Sequence, residues 1–487
     1  MDVNSRARLG CTISLAALIL GVVVGATGMA AFLGLGLGDL MARASGHAAP
    51  ALVAVTPTAA VQIVGGAAPG RRLVWREPIA LDGDTREPDL LVISRNHDRK
   101  SDTILLLSPD AGAVRWESAP MGDSGNSWVV AYSAQTIIVA DGSKLTGLSR
   151  ADGSRLWEAP LTDRIFYNGC AGCLQVFDDV VVALTDDGEL QAFSAAKGAP
   201  LWHVRLNQTT RQLVRVGDMV GVPDTLTKDS SDAGLLIYSP ADGKLQRTLT
   251  PSCAREGDTY ADHPGYYDRI LADPQAGALY WLLDGAGCLI KVGMGAGGGE
   301  RRTYGKDLPS FEEHNALLAD GVIYLGDSKQ IFVIDARGAA RALIANADYD
   351  MQPLEAQGDA LLVLARRTRG SSRLELWLVD AQSGRQRWAR VLKAGDPISG
   401  PYDDGDFAAH MLAGSVALIE QLKDSEQIQF DLLSLKDGTS SVSTQLQVAD
   451  AGSSIRGVAW GSRTAWIAID SLYGVRLEDG ATVSRGP

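Results

Sequence analysis

The chain is short of several things at once. Of its 487 residues only 5 are cysteine and 6 histidine, aromatics make up 6%, and 45 basic residues face 58 acidic ones. So few cysteines over so long a chain exclude a small disulfide-stapled fold. The histidines, at 47, 97, 203, 263, 314 and 410, include no pair with metal-ligand spacing on one element, so they read as surface or packing residues. No HExxH, phosphate-binding glycine loop or nucleophile elbow occurs. The net charge of -13 sets the mean surface field against nucleic acid and anionic headgroups. Convincing helical periodicity is missing outside the N-terminal run, and with 46% apolar and 21% charged residues the chain is a globular one rather than a disordered one.

Long hydrophobic runs are also scarce. The one that matters follows Arg6 and Arg8 and covers residues 9–38 without a charge. About 20 apolar residues cross a bilayer, whereas a secretory h-region needs only about 7–15. The run therefore reads as an uncleaved transmembrane anchor, with residues 1–8 in the cytoplasm and the bulk of the chain in the periplasm or outside the cell. A removed signal peptide is the alternative, because Ala42-Arg43-Ala44 is a passable cleavage site. Cys11 precedes the apolar run, which excludes lipoprotein processing there. Residues 39–70, rich in Ala, Pro and Gly, read as a flexible linker.

What the chain has in quantity is glycine, 54 residues, much of it in a repeat that fills 71–487. The clearest copies are SPDAGAVRW ending at Trp116, SRADGSRLW at Trp157, SAAKGAPLW at Trp202 and VDAQSGRQRW at Trp388. In each, Trp stands four residues after a glycine: Gly112, Gly153, Gly198 and Gly384. Gly243, Gly338, Gly438 and Gly480 mark copies that have lost the Trp. Short β-rich runs precede these turns, as at 137–140, 180–184, 322–325, 361–364 and 416–419. A glycine that permits a tight turn, and a Trp that must bury its surface against the next sheet, predict stacked four-stranded sheets. The fold class expected is all-β, a single β-propeller preceded by one transmembrane helix. Hairpin units are counted near 92, 138, 182, 220, 280, 323, 362, 417 and 466. Since propellers usually have about 4–8 blades, the expectation is eight, with one unit irregular or shared, and nine as the alternative. Residues 71–76 look like an outer strand without a blade, and are expected to pair with the last repeat, 463–485, to close the ring.

At these D-x-x-G-x-x-x-W units the chain resembles the pyrroloquinoline-quinone-like propeller repeat family, over about 71–487. That family includes quinoprotein alcohol dehydrogenases and the propeller lipoprotein of the outer-membrane barrel-assembly machinery. The resemblance implies a propeller and leaves function open. Its enzymatic members carry two adjacent cysteines, a calcium held by Glu, Asn and Asp, and an Asp base. Cys170-Ala171-Gly172-Cys173 is spaced differently and no full ligand set is present, so no catalytic or cofactor-binding residue carries over, and no cofactor is expected.

Four cysteines lie in the exported part. In a propeller blade the loop entering from the previous blade and the turn between the second and third strands share a face. Cys253 and Cys288 then meet, which leaves Cys170 to pair with Cys173. A redox CxxC or a four-cysteine zinc site is the alternative. Asp82, Asp84 and Asp89 look like a degenerate calcium loop, with a plain polar turn as the simpler reading, and 403–406 is a similar acidic loop. The longest insertion, about 251–267, carries Tyr260, Tyr266 and Tyr267 beside Asp262 and His263; tyrosines on a long loop suit a protein interface, or pack over the rim. The functional expectation is a non-enzymatic, membrane-anchored module that binds or scaffolds other envelope proteins and binds no nucleic acid. A quinone-dependent dehydrogenase and a sugar- or polymer-binding module are the alternatives.

Overall fold

The computed structural model describes most of 71–484; residues 1–70 and several loops, including 166–171, 251–268, 304–315 and 394–405, lie outside the described residues. The described residues belong to one compact unit. Nine antiparallel sheets follow one another along it, at 71–117, 128–160, 174–205, 214–249, 269–303, 316–345, 349–391, 407–447 and 457–484. Each is a meander of four strands in chain order, except that the first has a fifth. They are the blades of a propeller, numbered 1 to 9 below. Every described element is a strand. Among the described residues no helix is long and apolar enough to cross a membrane, and the expected anchor at 9–38 lies outside them.

The nine counted hairpins are nine separate sheets, so the expectation of eight with one shared unit is corrected. The reason lies at the rim. Each repeat Trp leaves the outer strand of its own blade and lies on the turn glycine of the next: Trp116 on Gly153, Trp157 on Gly198, Trp202 on Gly243 and Trp388 on Gly438. These glycines hold φ of 65–71°, and a methyl carbon on Gly243 would come within 2.6 Å of the Trp202 ring. A bare backbone lets the indole sink in, keeps neighbouring rims close, and so narrows the wedge between sheets, which admits more blades. The indole N–H of Trp116, Trp157 and Trp202 donates to the carbonyl of Arg150, Ala195 and Pro240, at 2.9, 2.9 and 2.7 Å. Where the Trp is missing, smaller groups fill the seat: the backbone carbonyl of Leu343 against Gly384, and the Val442 and Thr444 side chains against Gly480.

Ring closure differs from expectation. Arg71–Leu73 pairs with residues 94–96 in blade 1, not with the last repeat. Blade 9 has its own outer strand, Thr482–Ser484, so it has no vacancy to fill. Closure is by packing: Leu90, Val92, Leu105 and Leu107 of blade 1 form one apolar cluster with Ala459, Trp466, Ala468 and Leu472 of blade 9. Ile79–Leu81, which shares the inner edge of blade 1, lies beside Gly457–Trp460. Similar clusters fill the spaces between successive sheets, with Trp281, Phe407 and Phe430 among the largest buried side chains.

Candidate functional site

A repeat protein allows its structural positions to be subtracted, leaving those that depart from the pattern. In six outer strands the residue just before the Trp position has no partner across the ladder: Arg115, Leu156, Leu201, Gln246, Arg387 and Ser441. This β-bulge turns the following side chain toward the next blade and keeps the rim from pairing edge to edge with another chain. It also points the bulged residue outward. In blades 7 and 8 that residue is polar. In blades 2 and 3 it is leucine, 49% and 48% exposed, and in blades 1 and 4 the preceding residue is aliphatic and as open, Val114 at 45% and Leu245 at 50%. Four consecutive outer strands thus present one aliphatic side chain each, at the bulged residue in blades 2 and 3 and one residue before it in blades 1 and 4, where the bulged residues Arg115 and Gln246 are polar.

Two grooves accompany them. One of about 570 Å³ is lined by Leu156, Ala134, Ala151, Ala196 and the Asp89–Arg115 pair. The other, about 480 Å³, runs between blades 2 and 3 and is lined by Leu201, Trp202, Phe193, Pro160, Glu158 and Glu189. The charges beside them are surface ion pairs: Arg155–Glu158 at 3.0 Å, Lys144–Glu158 at 3.3 Å and Arg205–Asp187 at 2.7 Å. Such pairs contribute little stability and rearrange readily against a partner. The surface can bury apolar side chains with polar groups at its rim, which is the make-up of a protein-contact patch.

The inner edge carries one further departure. Glu355, re-aimed by a bulge in the innermost strand of blade 7, accepts from Met411 N–H at 2.8 Å and lies 3.1 Å from His410 Nδ1 in blade 8. The imidazole stacks on Trp460 of blade 9, with ring centroids 5.0 Å apart and planes at 26°. Three blades are linked by two polar contacts and one ring contact. Among the described residues no hydroxyl or thiol is hydrogen-bonded to His410, so the trio reads as a brace.

Two buried carboxylates look like candidates by burial alone and are explained by the backbone. Asp224 and Glu420, 1% and 0% exposed, each stand near the end of a second strand. They accept the N–H of Asn207 and Lys393, at 2.8 and 2.7 Å, two residues past the preceding blade's outer strand. Each pins a crossover loop. Burial pushes the Glu420 carboxyl above the usual range, and its Oε2 finds no hydrogen-bond partner. Burial, with Asp224 nearby, likewise pushes the Tyr238 phenol up to about 12.

Of the residues singled out in the sequence, Tyr260, Tyr266, Tyr267, Cys170, Cys253, Asp82 and Asp84 lie outside the described residues. Cys173 is buried and disulfide-bonded, to a sulfur outside the described side chains. Cys288 opens the third strand of blade 5. Asp89 is held by Arg115 at 2.6 Å, which occupies one oxygen of the suggested calcium loop. Among the described residues no group of three or more His, Cys, Asp or Glu side chains could hold a metal ion. The exposed leucines and the inner trio were missed. Leu156-Trp157 and Leu201-Trp202 read as ordinary strand, because a bulge leaves no mark in composition.

Residues 100–263 match the family described as outer membrane protein assembly factor BamB. Within the matched segment the blades are of the quinoprotein-like repeat type. The segment matching BamB runs from blade 1 past blade 4, and so contains Val114, Leu156, Leu201 and Leu245, whereas the less exposed Val391 of blade 7 lies outside it. Solved structures share the architecture at low identity. BamB from Moraxella catarrhalis is 12% identical, covering 81% of this chain and 96% of its own, with a TM-score of 0.40. The dihydro-heme d1 dehydrogenase NirN is 14% identical over 74% and 73%, with a TM-score of 0.46. The quinohemoprotein alcohol dehydrogenase ADHIIG from Pseudomonas putida HK5 is 12% identical over 71% and 70%, with a TM-score of 0.42. No curated protein matches the chain in sequence.

Proposed function

We propose that this chain is a scaffold of the cell envelope, tethered to the membrane by residues 9–38, which holds other envelope proteins against the outer rim of blades 1–4. The observation that carries this reading is the row of Val114, Leu156, Leu201 and Leu245, one per blade and each 45–50% exposed, within the segment that matches BamB. Water-exposed aliphatic groups at or next to the bulge of consecutive repeats cost free energy that contact with a partner would recover. The tyrosines of 251–267 follow directly on blade 4 in the chain. The test places a photo-crosslinking residue at position 156 or 201 of the full chain in membranes, with positions 387 and 441 as equivalent sites on blades 7 and 8. Discrete adducts are expected from the first two. Adducts from 387 and 441 alone, or equal labelling from all four, would refute the assignment of the rim.

A further inference from the structure

The molecule is acidic, but one hairpin reverses the sign. In blade 7 the ends of the second and third strands, Ala360–Arg367 and Leu374–Asp380, carry or adjoin Arg366, Arg367 and Arg373 within eight residues of sequence. The corresponding turn of blade 3 holds Asp186 and Asp187 instead. Arg366 stands opposite Leu374, and the ladder continues one pair further, because Arg367 N–H donates to Arg373 O at 3.0 Å. Arg367 and Arg373 are therefore directly opposed on one face of the sheet. Tyr349 pairs with Arg367 from the other side, so Tyr, Arg and Arg form a row across three strands. Among the described residues one carboxylate shares that face: Glu375, 3.3 Å from Arg373 and fixed by the Trp377 indole N–H at 2.8 Å and the Tyr349 hydroxyl at 3.4 Å. Asp350 is opposite Arg366 and lies with it on the other face.

Like charges directly opposed across a ladder are destabilising. Two guanidinium groups so placed, with one carboxylate beside them, make an incomplete charge set that a planar or tetrahedral oxyanion completes through paired N–H donors. We propose that Arg367 and Arg373 clamp a phosphate group between them. The mean field of a chain of charge -13 opposes long-range attraction, so this is short-range, salt-sensitive recognition by the two forks. The phosphate belongs either to a lipid headgroup or to a soluble ion or ester.

The test is thermal unfolding of the purified full chain in inorganic phosphate and in chloride of equal ionic strength, with sedimentation on phosphatidylglycerol and phosphatidylcholine vesicles. The wild-type chain is expected to melt higher in phosphate. Arg367→Gln is expected to melt higher than wild type in chloride, because the repulsion is gone, and to lose the phosphate increment. Arg367→Lys, which keeps the charge without the fork, is expected to bind phosphate about tenfold more weakly. Sedimentation with phosphatidylglycerol vesicles alone, abolished by Arg367→Gln, supports the clamp with lipid as its source. A phosphate increment without vesicle binding supports it with a soluble source. Absence of any wild-type phosphate increment, or an Arg367→Gln variant that melts lower in chloride and keeps the increment, overturns it.

Discussion

Replacing Gly243 by alanine isolates the seat on which Trp202 rests. Two costs are expected. The glycine holds φ at 67°, a left-handed conformation that costs an L residue roughly 1–2 kcal/mol. The new methyl carbon would also stand 2.6 Å from the Trp202 ring, and overpacking of this kind costs about 1–3 kcal/mol. The sum is about 2–5 kcal/mol. Gly142→Ala is the control: its φ is 57° and nothing lies within 4 Å of the added carbon, so only the first cost, about 1–2 kcal/mol, applies. Urea unfolding and calorimetry of the two variants and wild type give the difference directly. Pushing the indole off its seat also breaks its 2.7 Å bond to Pro240 O, so Gly243→Ala combined with Trp202→Leu should cost less than the sum of the single changes. If Gly243→Ala is no worse than Gly142→Ala, the indole does not rest on that glycine, and the account of how blades pack at the rim is wrong.

Four further outcomes are expected. His410→Ala should cost about 1 kcal/mol in urea unfolding, from one partly exposed hydrogen bond and one ring contact; no change would remove the trio's role as a brace. Because burial raises the Glu420 carboxyl in the folded chain, its favourable contribution is complete below the unfolded-state value and is lost as pH rises through the folded one. Glu420→Gln should therefore gain in stability relative to wild type as pH rises from acid toward neutral, and a constant offset in pH-dependent melting would contradict the assignment. Peptide mapping without reduction should link Cys173 to Cys170 and Cys253 to Cys288; a crossed pairing would show that the entry loops do not face the turns as argued. Supplied with pyrroloquinoline quinone and calcium, the purified chain should reduce no acceptor dye, and turnover would replace the scaffold reading with a dehydrogenase.

The repeat was legible because its two commonest constraints are chemical. Only glycine tolerates both a positive φ and an indole on its backbone, and only a large aromatic fills the space, so Gly153, Gly198 and Trp157 announce themselves by spacing. The number of blades was present in the hairpin count and was set aside in favour of the usual ring size. Ring closure was misjudged because residues 71–76 look like a spare outer strand, while the three-residue strand that fills that role in blade 9, Thr482–Ser484, is too short to notice. The exposed leucines were invisible for a different reason. Alternation assigns a side chain to a face by parity, and a bulge shifts the parity by one residue without altering which residue types are used. The inner trio joins Glu355, His410 and Trp460 across about a hundred residues, and no local pattern predicts a meeting at that distance.

The indoles all reach the same way, from a blade to its successor in the chain. This gives the ring a polarity that symmetry of shape conceals. As the chain emerges from its N-terminus, blades 1, 2, 3 and 7 each wait with an uncovered ring until the next turn arrives to receive it. A protein cut short just after one of these blades therefore ends in an orphaned aromatic plug, and one that starts just after it begins with an empty socket. The first fault is adhesive and the second a void, so fragments of equal length from the two ends should differ more in their tendency to aggregate than in the number of blades they retain.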